Sequence, residues 1–362
     1  MVNDCQVDVG DWWVRALYLE ELIEQCGKLP QPGEADSRFL IQDWQARGHL
    51  DEVLLDRVLA QRKLSRQQFA GLLFQSVVDS WQPDAQVQPL HSDQNVREWQ
   101  QTIAAILDDW DRWSQPVSLC SEPKTFAHLA QPFLAYTWHK LRPKNHPALE
   151  MDGLRDFFLQ NLDTRVRALL QRTLVLELNR ARMDGRLKGA TPQARYHDFC
   201  AALIATPEAW QRLFFQYQVL ARQLANCLGQ WVASVNEMLD RLEADWPLLE
   251  ARWLRGRGKT RLSALNGGAG DSHRQGRTVW MLTFTLEDGT SKRLVYKPRD
   301  LGPDRCFQSL LDWLNRQTAG DFPKLGSTDS LARDGYGWQN FVSCSPCDNP
   351  DQLTRYFTRL GG

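Results

Sequence analysis

An alternating apolar and polar run, an acidic glycine turn and a second short run constrain this chain more than any other stretch. Thr278 to Leu286 reads as an alternating run with the period of a strand, Glu287-Asp288-Gly289-Thr290 supplies a tight turn, and Arg293 to Tyr296 is a second run. An Asp-Gly pair accommodates the positive φ angles of a short hairpin turn, so the pattern predicts two antiparallel strands. The second strand delivers Lys297 and Arg299, and a glycine-rich turn carrying Asp271 and His273 precedes the first. Backbone N–H groups of such a turn can approach phosphate oxygens closely, and a lysine at the hairpin's far end supplies a point charge. A strand-end lysine is more often simply solvated, so spacing alone leaves both readings open.

The chain ahead of this stretch reads as helical. Apolar residues recur at helical spacing through residues 10–82, 95–113, 125–141 and 149–183, and again from Thr206 to about Arg255. Ser65 with Gln68 three positions later forms a capping box, and Thr191-Pro192 and Thr206-Pro207 read as N-caps followed by proline. Trp210, Phe214, Tyr217, Leu220 and Leu224 are expected to pack rather than to bind a ligand. Arg255 to Gly270 is basic and glycine-rich without periodicity. Its GRGKT lacks the four-residue gap of a phosphate-binding loop, which sets Lys259 aside and makes 256–270 a linker. After the hairpin come a helix from Cys306 to about Arg316, short strands around 324–333 and 336–342, and a helix from Asp351 to Leu360. The expected class is α+β, mainly α: a large helical region followed by a small antiparallel sheet with one helix.

Composition excludes several functions. A net charge of −1 gives no electrostatic case for nucleic-acid or membrane-surface binding. No apolar run approaches the roughly 20 residues of a membrane span, and no secretory signal opens the sequence, so a cytoplasmic location is expected. The eight cysteines are scattered rather than framed. Cys344 and Cys347 form one CxxC with neither a second pair nor a histidine beside it, so a loop dithiol without a metal role is expected, and no zinc site.

Several stretches in one order resemble the dehydratase domain of class II lanthipeptide synthetases: LVLELNRARMDGRLKGATPQARYHDF (174–199), YQVLAR (217–222), GDSHRQGR, LVYKPRDL, FQSLLDWLN and DGYGWQNFV. The likeness covers roughly residues 125 to 362. It implies a lipid-kinase-like lobe that runs as far as its hinge over 271–362, joined by the 256–270 linker to the dehydratase's helical region at 125–255. Residues 1–124 make a further helical subdomain. It implies phosphorylation of serine and threonine in a precursor peptide, leader and core, with ATP and magnesium, followed by elimination to dehydro residues. Lys297 and Arg299 then correspond to nucleotide-phosphate ligands, and Asp271 and His273 to a catalytic polar pair; no metal ligand is assigned.

Duller readings stand beside these. Asp271 suits an Asx turn and His273 a hydrogen-bonded surface residue, although a histidine also titrates near neutrality and could act as a base. Asp312 is an available acidic partner for Lys297, not fixed by the motif. Where the family carries an acid shortly after YGW, this chain has Gln339 and Asn340. The family's catalytic loop, metal-binding aspartate and zinc cyclase are not among these 362 residues, so the chain is expected to be inactive alone, with a second chain as one source of the C-lobe. The truncated lobe is expected to bind ATP weakly and to leave apolar surface exposed. A non-catalytic module that binds leader peptide or a partner subunit, and a divergent kinase relative, are the alternatives.

Overall fold

The turn at Asp288 forms as the Asp-Gly pair requires. Gly289 adopts φ +80°, Thr290 donates its N–H to Asp288 Oδ1 at 2.8 Å, and strands β2 (Trp280–Thr285) and β3 (Ser291–Lys297) pair antiparallel from Thr285–Ser291 to Trp280–Tyr296. The computed structural model describes residues 32–48, 51–75, 94–115, 126–142, 146–254, 260–268, 276–317 and 328–361, with the single positions 18, 144 and 326. The described residues are mainly helical, with a five-stranded antiparallel sheet.

That sheet gains its edge strand from the stretch expected as a linker. Residues Arg261–Gly267 form β1, antiparallel to β2, with the register shifting between Leu262 and Ala264. The irregularity puts the buried Leu262 and Leu265 three positions apart rather than two or four, which hides the strand from a period-of-two reading. On the other side lie β5 (Tyr336–Asn340) and β4 (Ser330–Arg333), giving the order β1-β2-β3-β5-β4.

The helices, in chain order, are α1 (Glu34–Gly48), α2 (Glu52–Gln61), α3 (Arg66–Gln75), α4 (Gln94–Asp108), α5 (Trp110–Trp113), α6 (Ala127–His139), α7 (Met151–Met183), α8 (Pro192–Ile204), α9 (Pro207–Gln216), α10 (Gln218–Leu249), α11 (Gly302–Gln317) and α12 (Pro350–Gly361). A single π turn, Glu250–Leu254, follows α10. They fall into two compact units, Met1–Asp108 with Ala205–Ala225, and Asp109–Ile204 with Asn226–Gly362. In the first, Ile41, Leu55, Leu59, Phe69, Ala70 and Leu72 make an apolar core. There the capping box forms, Gln68 N–H donating to Ser65 Oγ at 3.1 Å and Ser65 N–H to Gln68 Oε1 at 2.8 Å. Trp210, Phe214 and Leu224 are fully buried, as packing residues should be.

In the second unit α7 lies along β1. Phe158 from α7 meets Trp280 of β2 and Trp231 of α10 with ring centroids 5.6 and 6.2 Å apart, and Trp246 meets Phe284 at 5.8 Å. Such rings each remove roughly 150–250 Å² from water, so they dominate the sheet's attachment to the helices. Phe307, Leu310 and Trp313 of α11 stay exposed.

Two glycines differ in what they allow. A Cβ on Gly337, in β5, would stand 2.3 Å from Leu301 Cδ1 and 2.7 Å from the Leu331 carbonyl oxygen, whereas one on Gly229 in α10 meets nothing within 4 Å. Gly337→Ala is expected to destabilise the protein by about 1–3 kcal/mol through overpacking. Gly229→Ala should stabilise it by about 0.5–1 kcal/mol by restricting the unfolded chain. Urea unfolding monitored by tryptophan fluorescence distinguishes the two signs.

Candidate functional site

Lys297 ends β3, paired in register with Gly337 and one residue past the Trp280–Tyr296 pair. It therefore lies at the end of the sheet where the glycine-rich turn enters β2. Lys297 Nζ approaches Asp304 Oδ1 at 3.3 Å. Arg299 grips the same carboxylate with two nitrogens, Nη1 to Oδ2 at 2.7 Å and Nη2 to Oδ1 at 3.2 Å. Asp304 sits in the first turn of α11, where the helix's unpaired N–H groups favour negative charge. Asp300 caps that turn, accepting from the Gly302 N–H at 2.9 Å.

Asp304 is the partner that the sequence did not single out. Lys297 turns to the first turn of α11, not to Asp312 further along the same helix. Gln339 takes part as well: it is buried, and its amide nitrogen donates to Asp304 Oδ1 at 3.1 Å and to Ser330 Oγ at 3.0 Å. Gln308 from α11 reaches the same hydroxyl at 2.9 Å. A neutral donor at 339 thus completes the hydrogen bonding of Asp304, where an acid would repel it. Burial pushes the Asp304 carboxyl upward, but hydrogen bonds and charges from Arg299 and Lys297 outweigh it and hold the carboxyl below the usual range. Two cations share one carboxylate, a surplus of positive charge at a half-buried place.

A stripe on α10 fixes the strands underneath. Glu237, Arg241 and Asp245 follow one another at intervals of four, hence on one helix face. Arg241 Nη1 donates to the Tyr296 hydroxyl at 2.6 Å and its guanidinium lies 4.2 Å over the Tyr336 ring. Glu237 pairs with Arg241 at 2.8 Å and with Arg277, just past the turn, at 2.6 Å. Fully buried Asp245 accepts on Oδ2 from Tyr336 Oη and Trp338 Nε1, both at 2.8 Å. Arg333 Nε lies 2.9 Å from Oδ1 as an ion pair, but Oδ1 accepts no aligned hydrogen bond. Burial pushes the Tyr296 hydroxyl up to about 12, against the pull of Arg241.

Both flanks of the glycine-rich turn are tied to helices. Asn161 Nδ2 donates to the Gly267 carbonyl at 2.9 Å and its Oδ1 accepts from Trp231 Nε1 at 3.0 Å. Arg165 Nη1 donates to the Gly276 carbonyl at 3.2 Å. Asp271 and His273, the expected catalytic pair, lie outside the described residues. Among the described residues no group of three or more histidine, cysteine, aspartate or glutamate side chains could hold a metal ion. No helix among them is long and apolar enough to cross a membrane.

Residues 217–362, from the end of α9 through α12, match a domain family of unknown function, DUF4135. Over 240 residues, 63% of this chain, the sequence is 25% identical to the lacticin 481/lactococcin biosynthesis protein LcnDR2 of Lactococcus lactis subsp. lactis. With the ordered motifs, these matches make the chain a relative of the class II lanthipeptide synthetases. The matched region is 24% of LcnDR2, so the chain spans about a quarter of the length of the curated relative it matches.

The arrangement fixes a pH response. The folded Asp304 carboxyl titrates below the unfolded one, so its contribution is complete above about pH 4 and fades as pH falls through the folded value. In urea unfolding between pH 7 and pH 3, Asp304→Asn should lose about 1–3 kcal/mol at neutral pH and lack that part of the acid slope. Gln339→Glu should cost a similar amount at neutral pH and recover toward wild type on acidification.

Proposed function

We propose that this chain is the N-terminal part of a lanthipeptide dehydratase and forms the phosphate-gripping lobe of a kinase-like site. The observation that supports this best is the convergence of Lys297 and Arg299 on Asp304, at the end of the sheet where the glycine-rich turn enters. The donor set fits a nucleotide: two cations against one carboxylate leave positive charge for phosphate oxygens, and the lysine and arginine offer a point charge and a planar fork. ATP with magnesium, when bound, supplies the phosphoryl group.

In this reading Lys297 and Arg299 hold the nucleotide phosphates while a serine or threonine hydroxyl of a precursor peptide is phosphorylated. Asp304 draws the two cations together and aims them, and Gln339 holds Asp304. Asp271 and His273 serve the later step on the glycine-rich turn. His273, as base, takes the proton from Cα as phosphate leaves Cβ, giving the dehydro residue. The leader and core of the peptide are the proposed partner, and polypeptide beyond these residues, continuous or separate, brings the remaining catalytic groups. A cytoplasmic location accompanies this reading.

Co-expression of the polypeptide that joins these residues to the remaining catalytic groups with a serine- and threonine-rich precursor peptide from the same genome, read by mass spectrometry, tests it. The expected outcome is loss of one water, or gain of one phosphate, per modified residue, with Lys297→Ala lowering the yield at least about a hundredfold. A peptide bound but unmodified under every condition would favour a non-catalytic binding module.

A further inference from the structure

Between β5 and α12 the chain runs from Phe341 to Asp348 without helix, strand or turn, and this connector carries Cys344 and Cys347, both exposed and free. A cavity of about 500 Å³ opens beside it, with Pro346, Cys347, Asp348, Arg355 and Tyr356 in its walls. Cys347 lines the cavity and Cys344 does not. The two charged walls, Arg355 and Asp348, bear the signs that complement a small ligand with both carboxylates and an ammonium group.

We propose that Cys344 and Cys347 form a thiol–disulfide exchange site for small zwitterionic disulfides such as glutathione disulfide. Cys347 attacks and Cys344 resolves. The Cys347 thiolate displaces one glutathione thiolate from the incoming disulfide, forming a mixed disulfide in the cavity. The Cys344 thiolate then attacks Cys347 Sγ and expels the second glutathione. Two protein thiols are oxidised, one glutathione disulfide is reduced to two glutathione molecules, and the two thiol protons end on them.

The exchange has a mechanical result. Cysteines three residues apart in a fully extended chain stand at most about 10 Å apart at Cα, whereas a disulfide holds them within about 4.4–6.8 Å. Pro346 biases Ser345 toward extended backbone, so closing the bridge works against a local preference and caps the length of the tether that carries α12.

The test uses the full chain in buffers of graded glutathione to glutathione disulfide ratio, with acid quench, alkylation, trypsin and mass spectrometry. Tryptic peptide 334–355 contains both cysteines. Cys306, exposed in α11 with no cysteine near it in sequence, is the internal reference. With glutathione held at about 0.1 mM, the bridge should form at a disulfide-to-thiol ratio roughly tenfold or more below that needed to glutathionylate Cys306, because the second thiol is present at an effective concentration on the order of millimolar. Cys344→Ser should trap glutathione on Cys347, and Arg355→Ala should slow the first step with glutathione disulfide but not with uncharged hydroxyethyl disulfide. A bridge no easier to form than the Cys306 adduct would overturn the proposal. So would adducts mainly on Cys344 in the wild type, or an Arg355→Ala effect equal for both reagents.

Discussion

Asp245 is a carboxylate without access to water, and the sheet around Lys297 depends on it. It faces Tyr336 Oη and Trp338 Nε1 of β5, with Arg333 of β4 alongside. A buried charge stripped of partners costs several kcal/mol, so the strands and α10 must stay in one relative register for it to be satisfied. Arg241, one turn earlier, does the same for β3 through Tyr296. Together they fix the two strands whose ends present Lys297 and Gly337, and hence where α11 can begin.

The helical stripe also explains why part of the site stays hidden in sequence. Charged residues repeated every four positions ordinarily mark a solvated helix face, and Glu237, Arg241 and Asp245 carry that signature although Asp245 is fully buried. What packs against them is a sheet whose contacting residues lie 55 to 93 positions further on, a distance that local periodicity does not report. The hairpin, by contrast, was legible because its turn chemistry and alternation are local, and the helices that precede it for the same reason. β1 lost its signal to the irregularity at Leu262 and Ala264. Asp304 was missed because a first-turn acid after proline reads as ordinary helix capping, and nothing in the spacing says that two cations will turn back to it.

The motifs taken in order proved more informative than any one of them. Lys297 in isolation reads as a solvated strand end, whereas the ordered set led to a family relationship that the matches to DUF4135 and LcnDR2 support. The structure adds how those motifs meet. The Lys-Pro-Arg run, the start of the following helix and the glutamine after Tyr-Gly-Trp form one hydrogen-bonded group around Asp304.

Gly337 gives the sheet a property that concerns its evolution more than its chemistry. Leu301 and the Leu331 carbonyl crowd the space where a side chain would begin. Drift at this position is closed off whatever the neighbouring residues become, while Gln339, two positions on, can change so long as it still offers a donor. A lineage could therefore retune the charge around the two cations by substitution at 339 without disturbing the backbone that carries them. Electrostatic variation and architectural constancy are assigned to alternate residues of one short strand.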